Sequence, residues 1–122
     1  DDLVESDQRG GRGDNRGGRG GDNRGGRGGD LQFLDALPLG RTCYIHVAGH
    51  YVEADGLLVD THGADVIDPV WALLAETYVR IGGEVPTCLE RDFNFGHFSG
   101  LTAEVGRIAA LQAAARRERR VA

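Results

Sequence analysis

Apolar and polar positions change rhythm several times after residue 30. Over 42–48 they alternate, with Tyr44, His46 and Ala48 on one face and Cys43, Ile45 and Val47 on the other, which predicts a strand. "VEADG", 52–56, is turn chemistry, and "LLVDTH", 57–62, reads as a short strand or as the extended part of a long loop. "DPVWALLAETYVRIGG", 68–83, moves to the helical period, with Val70, Leu73, Leu74, Thr77, Tyr78 and Ile81 along one stripe. Asp68 is the expected cap of that helix, Pro69 its first helical position, and Gly82 and Gly83 its end. "VPTCLERD", 85–92, alternates again and places Cys88, Glu90 and Asp92 on one face. "LTAEVGRIAALQAAARRERR", 101–120, predicts a second helix with Leu101, Val105, Ile108, Leu111 or Gln112, and Ala115 near one face. Its closing Arg116, Arg117, Arg119 and Arg120 suit the negative end of a helix dipole. A short helix is expected over 31–37, capped by Asp30 and stopped by Pro38. Strand, helix, strand, helix is the order of a parallel α/β architecture.

Residues 1–30 have no such rhythm. From 9 to 30 they repeat RGGRGDN, RGGRGGDN and RGGRGGD. So little apolar surface cannot offset the entropy of ordering the chain, so this part is expected to be a disordered tail ahead of a folded unit spanning 31–122. Arginine at Arg9, Arg12, Arg16, Arg19, Arg24 and Arg27 is the composition of a tail that contacts RNA phosphates and stacks on bases. Against that reading, Asp14, Asp22 and Asp30 recur within the repeat, and Asp1, Asp2, Glu5 and Asp7 flank it. No Phe or Tyr is interleaved for stacking, so a solvated linker or repeat expansion is the favoured reading.

Charge supports that preference. The first thirty residues hold six arginines and seven acids, the rest eight arginines and twelve acids, and the whole chain carries −5. A mildly acidic chain has no general attraction to nucleic acid or anionic membrane. No apolar run approaches the roughly 18 residues of a spanning helix and no N-terminal signal-like run is present, so a cytoplasmic location is expected. The chain opens on Asp1 without methionine, which suggests processing or a fragment. Cys43 and Cys88 have no C-x-x-C spacing and are expected to be reduced and packed.

Chemistry gathers where the strands end: His46 and His50, Asp60 and His62, Glu90 and Asp92. Each has an ordinary structural role available. His46 could be a satisfied core histidine, His50 an exposed loop residue, Asp60 the cap of a turn and Glu90 an arginine partner. Together they supply imidazole and carboxylate at the end of consecutive elements, where α/β sheets carry their active sites. That donor mixture suits iron, manganese or zinc rather than calcium or magnesium. Absence of thiolate from the tips argues against a structural zinc site.

"IHVAGH", "LLVDTHGADVIDPVWAL" and "VPTCLERDFN" resemble, in order and spacing, three linked motifs of the multinuclear non-heme iron-dependent oxidase family, which includes the methanobactin-forming oxidase. The resemblance covers about 31–115 and corresponds to the C-terminal part of that family. It implies a TIM-type, xylose-isomerase-like β/α barrel with two or three iron ions at the strand ends. It further implies oxidation or rearrangement, with dioxygen, of cysteines in ribosomally made precursor peptides, and a small partner protein that presents the peptide. By position in these motifs, Asp60, His62 and Glu90 are implied metal ligands and His46 the next, with His50 and Asp92 orienting them. Arg91 stands where the family usually has tryptophan, and Cys88 where it has an aliphatic residue. A full barrel needs about 250 residues, so the expected architecture is the C-terminal fragment of a barrel preceded by the Arg-Gly tract. Such a fragment is too short to be active alone. A zinc or manganese isomerase or hydrolase on the same scaffold is the alternative.

Overall fold

A computed structural model describes residues 25–82 and 85–121, with side chains from Asp30 onward. The Arg-Gly repeat up to Arg24, and with it the expected tail arginines Arg9 to Arg24, lies outside the described residues. The order is α1 (Gly25–Ala36), a 3-10 turn (Leu39–Arg41), β1 (Ile45–Ala48), β2 (Tyr51–Val52), β3 (Leu58–Val59), α2 (Asp68–Ile81), β4 (Thr87–Glu90) and α3 (Phe98–Val121).

The centre is one strand–helix–strand unit. β1 pairs in parallel with β4, in the register Ile45 with Thr87, His46 with Cys88, Val47 with Leu89 and Ala48 with Glu90. Parallel neighbours need a crossover, and α2 supplies it. The pleat turns Ile45, Val47 and Leu89 toward the helices. There Val47, Val66, Trp71, Leu74, Tyr78, Ile108 and Ala115 form the buried core, with Ile45, Val70, Leu89 and Leu111 packed on it. Trp71 is 3% exposed, donates from Nε1 to Val66 O at 3.0 Å, and carries the Arg107 guanidinium over its ring at 4.7 Å. Tyr78 is fully buried, and its hydroxyl meets Thr87 Oγ1. Burial pushes the Tyr78 phenol up, against the opposing pull of its hydrogen bonds to Thr87 and Gln112.

Several expectations need correction. The first helix begins at Gly25, not residue 31, so Asp30 lies within it rather than capping it. Once Leu34 is buried and Asp35 is held by Arg80, each further residue adds one helical hydrogen bond, so the helix extends into glycine-rich sequence. α2 is capped one residue earlier, at Ile67, whose side chain makes no cap bond, and Asp68 sits in the first turn. The helix ends at Gly82, φ 102°, whose N–H donates to Tyr78 O. Trp71, left off the predicted stripe, is one of its most buried residues, whereas Val105 on α3 is exposed.

β3 does not join the parallel sheet. It pairs antiparallel with β2, Tyr51 opposite Val59 and Val52 opposite Leu58, through a turn closed by Glu53 N to Leu57 O at 2.8 Å. "VEADG" dictates this local pairing, which costs less loop entropy than a distant one. Cys43 and Cys88 are free as expected but exposed, not packed. Cys88 shares a strand face with His46 and Glu90, and no described element covers that face. The architecture is thus mixed α/β with a two-stranded parallel sheet and a separate hairpin. No helix among the described residues is long and apolar enough to cross a membrane.

Candidate metal centre

The residues at the ends of β1 and β4 meet because the register brings Ala48 level with Glu90 and His46 two positions behind it, on the same face. Glu90 contacts two imidazoles with two different oxygens. His46 Nδ1 meets Oε1, and His62 Nδ1 lies 2.9 Å from Oε2. The other His62 nitrogen, Nε2, is 2.7 Å from Asp60 Oδ1, and Asp92 Oδ2 stands 3.7 Å from His62 Nδ1. Tyr44 packs tilted against the His46 ring, 5.1 Å between centroids. Exposure grades outward: Glu90 and His62 side chains are 26% and 29% exposed, Asp92 67% and Asp60 84%. His50 joins none of these contacts. Arg27 lies in α1, where side chains are described only from Asp30.

Asp60 and His62 come together, but not as neighbours on a pleat. β3 stops at Val59, and His62 has φ 52°. That left-handed conformation costs a non-glycine residue about 1–2 kcal/mol and persists only where surroundings hold it. The surroundings are specific. His62 O accepts from Asp92 N at 2.8 Å, and Gly63 O accepts from Asn94 Nδ2 at 3.1 Å. The Phe93 ring covers Gly63 so closely that a Cβ there would lie 2.3 Å from it. On the other side, a Cβ at Gly49 would lie 2.0 Å from Ala64 O, so glycine is what lets the 62–66 loop cross the end of β1.

Behind the loop lies a network that the alternation pattern did not reveal. Arg91, only 7% exposed at its side chain, donates from Nη2 to Asp65 Oδ1 at 2.7 Å and to Glu104 Oε1 at 2.8 Å, and from Nη1 to Asn94 O at 3.0 Å. The second oxygen of Glu104 accepts from Val66 N at 2.8 Å. One signal was available. Glu104 lies three residues after Leu101 and four before Ile108, so it faces inward on α3, and a carboxylate on an apolar stripe requires a partner.

Imidazole and carboxylate are the donor types of a transition-metal site. Both ring nitrogens of His62 face carboxylate oxygens, yet a neutral imidazole has one N–H to donate. The side chains are gathered rather than arrayed, and among the described residues no three or more His, Cys, Asp or Glu groups surround one ion position.

Comparison with known proteins bears on this cluster. The family model for the RiPP precursor modification enzyme MbnB/TglH/ChrH matches residues 25–113. A UPF0276 protein of Shewanella amazonensis is 54% identical over 88 residues, which cover 72% of this chain and 31% of that protein. Another, from Alcanivorax borkumensis, is 55% identical over 82 residues, 67% of this chain and 27% of its own length. A third, from Neisseria gonorrhoeae, is 51% identical over 88 residues, again 72% and 31%. The chain therefore spans about a third of the length of the curated relatives it matches. No solved structure matches. The matched stretch includes His46, Asp60, His62, Glu90 and the whole Arg91 network, and the chain belongs to the RiPP precursor modification enzyme family MbnB/TglH/ChrH.

Proposed function

We propose that His46, His62 and Glu90, with Asp60, supply ligands to an iron site, and that the complete protein uses it with dioxygen to oxidise cysteines of ribosomally made precursor peptides. The observation that carries this reading is Glu90, which joins two imidazoles through separate oxygens at the end of a parallel strand. Ligands of this mixed kind leave a metal able to change oxidation state. What iron supplies when bound is a redox-active centre with positions open to thiolate and dioxygen. The chain's own residues hold the donors in place. Asp92 fixes the His62 backbone, and its carboxylate stands next to the ring. His50 is placed near the site by sequence and orients no ligand in this arrangement.

The remaining ligands and the peptide-binding surface belong, in this proposal, to the rest of a TIM-type barrel, of which β1, α2, β4 and α3 form consecutive units. The exposed face carrying His46, Cys88 and Glu90 would then be the interior of that barrel. A small peptide-presenting partner protein follows from the family resemblance and completes the proposal.

The test is to co-produce this chain with the part of the Shewanella relative that it does not cover, purify the complex, and count metals. Bound iron, lost in His46→Ala, His62→Ala and Glu90→Gln, together with dioxygen-dependent mass loss from a cysteine-containing precursor peptide, is the expected result. A complex that takes up zinc or manganese but no iron would overturn the iron reading and favour the alternative of an isomerase or hydrolase on the same scaffold.

A further inference from the structure

Arg91 follows Glu90 directly, so the pleat that sends Glu90 to the open face sends Arg91 toward α3. Its guanidinium joins three segments: the 62–66 loop through Asp65, its own 91–94 loop through Asn94 O, and α3 through Glu104. Glu104 returns to the first segment by accepting from Val66 N. Both ends of the loop that carries His62 are therefore tied to Arg91, at Asp65 directly, at Val66 through Glu104, and at His62 O through the N–H of the adjacent Asp92. As a packing device this is poor. Arg91 Nε is buried with no acceptor among the described residues, and an apolar side chain would fill the space without that orphan. As a fork that holds two carboxylates and a carbonyl at fixed angles, the guanidinium has no substitute.

We propose that Arg91 is a positioning residue for the His–carboxylate cluster: it locks the 62–66 loop in the conformation that keeps His62, at its strained φ, against Glu90. The inference rests on reading that cluster as a metal site, and it adds a residue whose side chain touches none of the donors. Groups of this kind typically change metal affinity 10- to 100-fold when removed.

The test uses the full chain and cobalt(II) alone as probe, followed by its visible absorption, beside amide hydrogen exchange without metal. Arg91→Met is expected to bind cobalt about 10- to 100-fold more weakly, with a shifted absorption band. Arg91→Lys should recover part of the affinity, since an ammonium can hold one carboxylate but not the fork. Exchange at the Asp92 and Val66 amides should accelerate at least about tenfold while Leu74 in α2 stays protected. Leu111→Ala serves as the control, loosening the α3 contact with the core away from the network. A merely structural Arg91 predicts the same cobalt affinity loss in both variants, whereas positioning predicts a change under about twofold for Leu111→Ala. If Arg91→Met does not fold, Asp65→Asn, which breaks one arm at an exposed carboxylate, must still weaken cobalt and speed exchange at Val66.

Equal cobalt affinity in wild type and Arg91→Met would overturn the inference and leave the metal reading standing. Failure of the wild type to bind cobalt would show that these side chains need the ligands of the rest of the protein, and the metal reading would then be decided on the co-produced complex. The exchange arm then decides the role of Arg91: faster exchange at Asp92 and Val66 supports the lock, and unchanged exchange overturns it.

Discussion

The two faces of the β1–β4 pair differ although one pleat makes both. On the helix side, Val47 is 5% exposed and packs with Trp71, Leu74 and Tyr78. One residue away on the other side, the His46 side chain is 50% exposed, and Cys88 beside it is exposed as well. The first face is completed by elements within this chain. The second carries His46, Cys88 and Glu90 and has nothing described over it. Packing and, in the proposed function, metal ligation thus fall to alternate residues of the same strand, and substitutions at adjacent positions should behave in opposite ways.

Breaking the packed face gives the largest effects. Trp71→Ala removes a nearly fully buried ring, its hydrogen bond and its cation–π contact, and should cost about 3–5 kcal/mol in urea denaturation, enough to unfold much of so small a unit. Val47→Ala should cost about 2 kcal/mol, while the adjacent His46→Ala stays within about 0.5 kcal/mol. Equal losses at the two positions would show that the faces are not divided as described.

A pH series sharpens the same division from inside the core. Burial raises the folded-state pKa of Tyr78 above its unfolded value near 10. Below pH 10 both states keep the proton and this contribution to stability is intact. As pH rises from 10 through the folded value, the unfolded chain loses the proton first, so stability falls. Denaturation midpoints should drop across that alkaline window, and Tyr78→Phe should remove its share of the slope. The smallest expected effect is at Cys88, where serine should leave stability unchanged within about 0.5 kcal/mol. Its thiol should label in the native chain without prior unfolding. Protection of Cys88 on addition of the complementary part of a relative would mark the open face as an interior surface.

Much of the secondary structure was legible because period-two and period-3.6 patterns are local. β4 and β1 fall inside their predicted windows, and α2 ends at the predicted glycine. Caps were less legible. Ile67 precedes α2 where Asp68 was expected, because the geometry of entry, not side-chain chemistry, sets where the helix starts. The hairpin partner of 57–59 was missed because a strand pattern does not say which edge it joins. In the site, residue types were readable but not their route to one another. His62 reaches Glu90 through a left-handed turn rather than strand alternation, and that turn depends on Gly49, Phe93 and Arg91, distant in sequence and ordinary in pattern.

By itself the sequence determined which side chains alternate, where helices run, and that imidazole and carboxylate recur at strand ends, because these follow from spacing along one chain. Only the tertiary structure decided that Glu90 would stand between His46 and His62, that Arg91 and Glu104 would brace the loop from behind, and that the thiols would be left outside. Those outcomes are set by register and close approach between segments far apart in sequence, where a shift of one residue turns every side chain to the opposite face.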